Sequence, residues 1–126
     1  EAGGRRDERW RRLARAAAKQ CGRSRVPRIA EPMTPGVAAD ELAPACPHVL
    51  AAVATAGLPL PSGMASAGPA ALFVGPEGGF APEEWASLLE HGARPFTWGE
   101  RTLRAETAAI VLSALVLDAA SQTVQT

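Results

Sequence analysis

The chain is predicted to fold as an α/β domain, a mostly parallel sheet flanked by helices. Three observations carry that prediction. His48-Val49-Leu50-Ala51-Ala52-Val53-Ala54 and Ala70-Ala71-Leu72-Phe73-Val74 are continuous apolar runs of strand length, as expected where a sheet is covered on both faces. Segments with helical spacing alternate with them, and glycine-rich turns follow the strand candidates.

Taken in order, Trp10, Leu13, Ala17 and Cys21 recur at three- and four-residue spacing, so 7–20 reads as an amphipathic helix whose other face carries arginines, and Gly22 ends it. Residues 26–30 are a weak strand candidate, because Pro27 lacks a ladder donor and suits a strand start or edge. Pro32 and Pro35 punctuate a loop before a short helix over 36–45. The apolar run 48–54 is the next strand, 55–69 is a loop of Gly, Pro, Ser and Ala, and 70–74 is a second buried strand. Pro82 with Glu83 and Glu84 marks a helix start that runs to His91-Gly92. Residues 94–98 are a further strand, and 105–120 is an apolar helix with Ile110, Ala114 and Leu117 on one stripe, expected mainly as core.

At 126 residues, 47% hydrophobic and 21% charged, the chain fits one domain able to bury a core. The net charge of zero hides an asymmetry: residues 1–28 hold ten basic and three acidic side chains, so the rest carries −7. A basic block before an acidic body suits a nucleic-acid-facing edge or, more simply, a solvated helix face. Cys21 and Cys46 lack metal-ligand spacing and are expected as buried free thiols. The apolar stretch 108–117 falls short of the roughly 20 residues of a membrane span, and no signal peptide is read, so a soluble cytoplasmic protein without a metal is expected.

Two glycine loops follow neighbouring strand candidates: Gly75-Pro76-Glu77-Gly78-Gly79 and Gly99-Glu100-Arg101-Thr102. That edge of an open α/β sheet is where ligands bind. Neither loop has a phosphate-binding signature, and Glu77 would oppose a phosphate. A ligand read by backbone groups fits better, the alternative being two tight turns into helices.

The second loop continues as Trp98-Gly99-Glu100-Arg101-Thr102-Leu103-Arg104-Ala105-Glu106-Thr107-Ala108. With VGPEGGF at 74–80, Arg9-Trp10 and Gln20-Cys21-Gly22-Arg23-Ser24-Arg25-Val26-Pro27, it resembles the RsmE family of 16S ribosomal RNA (uracil-N(3))-methyltransferases, S-adenosylmethionine enzymes of the SPOUT superfamily. The family pattern has Leu where this chain has Trp98, which sets a bulky ring beside the expected cofactor pocket, and an acidic residue where this chain has Ala16. The resemblance implies a SPOUT-type fold with a C-terminal trefoil knot, residues 1–126 being part of the methyltransferase domain. It also implies that an RNA-binding barrel and the first strands of that domain precede Glu1.

The resemblance further implies that S-adenosylmethionine is held by Thr55, by Val74, Gly75, Pro76, Glu77, Gly78 and Gly79, and by Trp98, Gly99 and Leu103. Glu77 is open to two roles, bonding the ligand or a loop amide. Arg23 and Arg104 are candidates to favour the uracil anion, since a guanidinium beside its carbonyl oxygens offsets the developing charge. Glu106 either takes the proton or caps the last helix and orients Arg104. Arg9, Arg11, Arg12, Arg15 and Arg25 are expected on RNA phosphates. His48 and His91 lie outside the matched motifs and read as structural. The implied partners are 16S ribosomal RNA, or the small subunit, and a second copy of the chain, with a role in rRNA processing and ribosome biogenesis. Two other readings stand beside this one: a SPOUT-like RNA-binding module without catalysis, and an unrelated α/β enzyme using the glycine loops.

Overall fold

A computed structural model describes residues 2–54, 59–60, 68–99 and 101–121. The chain divides into two compact units, Glu1–Met33 and Thr34–Thr126. The first unit holds one helix, α1 (Ala2–Gln20). It ends in a Schellman motif: Gly22 turns left-handed at φ 71°, the Arg23 amide donates to the Ala18 carbonyl at 2.9 Å, and the Gly22 amide donates to that of Lys19 at 3.3 Å. The residues beyond form neither helix nor strand. Arg11 Nη2 reaches Glu31 Oε1 at 2.9 Å from the helix, an exposed pair of small energetic weight.

Three expectations for this unit are corrected. The strand over 26–30 does not form, since Pro27 removes a donor and no neighbouring strand pairs with it. The stripe of α1 is not a core face: Trp10, Leu13, Ala17 and Cys21 are all exposed, and the unit has no second element to cover them. Cys21 is therefore an exposed free thiol rather than a buried one, while Cys46, also free, is half-buried.

The second unit is a three-stranded parallel sheet in the order β2-β1-β3, with β1 (His48–Ala52), β2 (Ala70–Val74) and β3 (Arg94–Phe96). Its helices are α2 (Pro35–Leu42), α3 (Pro82–Glu90) and α4 (Ala105–Ser121), with a 3-10 turn at Ala43–Ala45 after α2. Thr34 caps α2, its hydroxyl accepting from the Val37 amide at 3.4 Å, and Pro35 occupies the first turn. At α3, the Glu84 carboxylate accepts from the Ala81 amide at 2.9 Å, half of a capping box.

The central strand decides the layering. Alternate residues of β1 point to opposite faces. Val49 and Ala51 pack with Ala39 of α2 and Leu88 of α3 on one side, while Leu50 packs with Phe96, Leu112 and Val116 on the other. Leu50 and Ala51 are wholly buried, which is why this strand reads as an unbroken apolar run. On α4 the inward residues are Leu112 and Val116, flanked by Ala108, Leu115 and Ala119. Ile110 and Leu117 are 73% and 61% exposed, so the stripe expected as core faces outward. The helix is apolar around most of its circumference, and periodicity alone does not choose the buried side.

Ala52 is in register with both Val74 and Phe96, so the three strands end level. The Val53 amide extends the ladder to the Phe96 carbonyl at 3.0 Å. Everything that follows these strands emerges at one edge.

Both histidines lie in the framework. His48 Nδ1 accepts from Arg94 Nη2 at 2.6 Å, joining β1 to β3. His91 Nδ1 lies 2.7 Å from the Ser87 carbonyl and Nε2 lies 2.6 Å from Asp40 Oδ1, which ties α3 to α2. A carbonyl and a carboxylate only accept, so it is the protonated ring, with both nitrogens donating, that satisfies the two partners together. Its pKa is raised above the ordinary histidine value, first by the bond to the Ser87 carbonyl and then by Asp40. A raised folded-state pKa means that this contribution is fully present below about pH 6.5 and is lost as pH rises through the folded value. The thermal midpoint should therefore fall between mildly acidic and mildly alkaline buffer, and Asp40→Asn should shrink that fall. Melting curves across the range, with equal slopes for the two proteins, would remove the assignment.

Candidate functional site

The level strand ends open onto a pocket of about 280 Å³ in the second unit. Its floor is apolar and contains Ala52, Val74, Phe96, Ala108 and Leu112. Gly75, Pro76, Glu77 and Gly79 give one wall, and the loop that follows β3 gives the opposite wall with Trp98, Arg101, Thr102 and Leu103. Phe80 and Trp85 add a stacked pair, with centroids 6.1 Å apart and planes inclined by 22°.

The first loop is shaped by close backbone approach. The Gly79 amide donates to the Pro76 carbonyl at 2.8 Å, folding the loop back on itself. A Cβ on Gly75 would sit 3.3 Å from the Gly79 carbonyl carbon and 3.4 Å from the Phe80 ring. Only glycine fits there without displacing backbone. Glu77 ties the loop to the other wall: its Oε1 accepts from the Ala105 amide, the first of α4, at 3.4 Å. This satisfies a free donor at the helix start and sets a carboxylate on the pocket wall. Neither of the two roles expected for Glu77, a ligand bond or a loop-amide bond, is this one: its partner here is a helix-start amide.

Of the expected cofactor residues, Val74, Gly75, Pro76, Glu77, Gly79, Trp98 and Leu103 line the pocket. Gly78 and Gly99 belong to the same two loops but are not among its lining residues. Thr55 lies outside the described residues. Arg104 and Glu106 are exposed beside it in sequence, flanking the lining residue Ala105; the bond to the first amide of α4 comes from Glu77 rather than from Glu106. Arg23 and Arg25 are exposed in the first unit, as are Arg9, Arg12 and Arg15 on α1, while Arg11 is engaged with Glu31. Among the described residues no three His, Cys, Asp or Glu side chains gather as a metal site.

Sequence reasoning missed Phe80, Trp85, Phe96 and Thr97 as lining residues. Arg101 and Thr102, which also line it, stand inside the second glycine loop, where a ligand was expected. Trp85 sits one turn into α3 and had no such signal.

Residues 1–117 match the family model described as an RNA methyltransferase domain. The chain belongs to this RNA methyltransferase family. Among curated members, the ribosomal RNA small subunit methyltransferase E of Mycobacterium bovis is 40% identical over 108 residues, covering 82% of this chain and 41% of that protein. The one from Synechocystis is 36% identical over 115 residues, covering 86% and 37%. Among solved structures, the Neisseria gonorrhoeae ribosomal RNA small subunit methyltransferase E bound to S-adenosyl methionine aligns with a TM-score of 0.81 at 26% identity, over 94% of this chain and 49% of that one. A Legionella pneumophila protein in complex with bound cofactor SAM aligns equally well at 29% identity, over 94% and 48%. The chain thus spans about two fifths of the curated relatives and about half of the solved ones. The RsmE resemblance drawn from the three motifs is the family these relatives carry.

The pocket of this family member gives a test of the close approach. Gly75→Ala should destabilise the fold by about 1–3 kcal/mol, the usual cost of overpacking. Gly78→Ala, where an added Cβ meets nothing within 4 Å, should be close to neutral. Denaturant unfolding of both variants checks the contrast, and equal midpoints would contradict it.

Proposed function

We propose that the chain is the cofactor-binding part of an S-adenosylmethionine-dependent ribosomal RNA methyltransferase acting on a uridine ring nitrogen of 16S ribosomal RNA. The observation that carries this reading is the pocket itself, whose facing walls are the two glycine loops of the family motif. Its chemistry suits the cofactor. Apolar walls and an aromatic pair accept a flat base, glycine backbone admits ribose at close range, and Glu77 offers a negative charge to a cationic ligand. S-adenosylmethionine supplies an electrophilic methyl group on its sulfonium, so the protein's task is positioning and charge.

The acceptor nitrogen holds its proton near neutrality, and cations beside the uracil carbonyl oxygens favour its loss. Arg104, next to the lining residues Leu103 and Ala105, has that role here. Glu106, in the first turn of α4, either takes the proton or holds Arg104 in place. The exposed Arg9, Arg12 and Arg15 contact RNA phosphates, with Arg11 and Arg25 beside them in sequence.

Two finer features complete the reading. In this reading the segment from β2 to α4 forms the trefoil knot of the SPOUT fold. A second copy of the chain covers the outward stripe Ile110, Ala114 and Leu117, giving a homodimer. Such an enzyme works in the cytoplasm, where ribosomal RNA is processed.

Calorimetry with S-adenosylhomocysteine should give saturable one-site binding. Tritium transfer from labelled S-adenosylmethionine to undermodified small-subunit RNA should fall by at least ten-fold in Arg104→Ala, with cofactor affinity little changed. No heat at millimolar ligand would exclude the enzyme reading. Heat without transfer would favour an RNA-binding module instead.

A further inference from the structure

Among the described residues that line the pocket, Trp98 is the aromatic side chain left mostly in solvent. It is 53% exposed, whereas Phe96 and Leu112, which line the same pocket, are 2% and 5% exposed. Among the described residues its indole has no ring partner; the aromatic pair of the pocket is Phe80 with Trp85. Arg101 lines the same pocket and is exposed as well.

The ring is nonetheless held on an anchored stretch. Phe96 before it is buried, with its carbonyl accepting from Val53, and the Thr97 hydroxyl donates to the Ala54 carbonyl at 3.5 Å. Gly99 after it turns the chain left-handed at φ 73°. Bonds at the two preceding residues tie the ring's backbone to the end of β1, which keeps an apolar face in water at the pocket mouth, a placement packing alone would not favour.

We propose that Trp98 is the stacking platform for an unstacked RNA base presented to the pocket, with the Arg101 guanidinium reaching that base's carbonyl edge. Single-stranded bases are taken up on aromatic faces and by planar guanidinium groups, and stacking tolerates any base while an adjacent cation selects for carbonyl oxygens. The cofactor's base already has the half-buried pair Phe80 and Trp85, which leaves the exposed indole of Trp98 for a second base. The inference rests on the methyltransferase reading of the pocket and adds to it the residue that receives the acceptor.

The test measures two affinities in three proteins: the wild-type chain, Trp98→Leu, which restores the residue of the family pattern, and Trp98→Phe, which keeps a ring. A labelled single-stranded oligouridylate is titrated by anisotropy with saturating S-adenosylhomocysteine, at salt high enough to weaken phosphate contacts. S-adenosylhomocysteine is titrated separately by calorimetry. Trp98→Leu should weaken the oligonucleotide by about ten-fold or more and the cofactor product by less than about two-fold, with Trp98→Phe recovering most of the loss. Unchanged oligonucleotide affinity in Trp98→Leu overturns the proposal. So does an equal or greater loss of S-adenosylhomocysteine affinity, which would assign the ring to the cofactor. If the wild type itself gives no heat with S-adenosylhomocysteine, the reading of the pocket falls and this inference falls with it; heat with an oligonucleotide indifferent to Trp98 removes only the inference.

Discussion

The burial of β1 on both faces is the constraint on which the second unit depends. Leu50 and Ala51 are fully enclosed, one against Phe96 and α4, the other against α2 and α3. This strand also pairs with a parallel neighbour on each side, and the register sets all three to end together. The two glycine loops face each other across a pocket because of that alignment. Their own residues explain how closely the backbone can approach; the sheet explains why they meet.

The second organising contact is the reach of Glu77 to the first amide of α4. It gives a helix-start amide a partner and joins the two walls of the pocket, so one side chain serves both the fold and the site. A carboxylate used this way is still available to a cation, because a carboxylate has several acceptor positions and the bond to Ala105 takes one.

Much of this was legible in the sequence. The bounds of β2 follow directly from the apolar run 70–74, α3 from its proline and glycine punctuation, and α4 from its long apolar stretch. Thr34-Pro35 was a legible start for α2 that the glycine at 36 obscured, though a hydroxyl followed by proline is a strong helix opening. What was not legible was orientation. On α1 the four spaced apolar positions mark a stripe but not whether anything packs against it. On α4 nearly every side could have been buried, and only the place of the sheet selects Leu112 and Val116 over Ile110 and Leu117. The loops of the site were readable as motifs, while Phe80, Trp85 and Phe96 enter it through tertiary packing, which leaves no local pattern.

The pocket draws its surface from segments as distant in sequence as Ala52 and Leu112. Neither wall exists until β1 has paired with both neighbours and α4 has docked, so its assembly requires closing long loops, the entropically slow part of folding. A molecule seated there binds only the assembled sheet and docked helix. It therefore stabilises the whole second unit, in proportion to the logarithm of its concentration over its dissociation constant, rather than any single element.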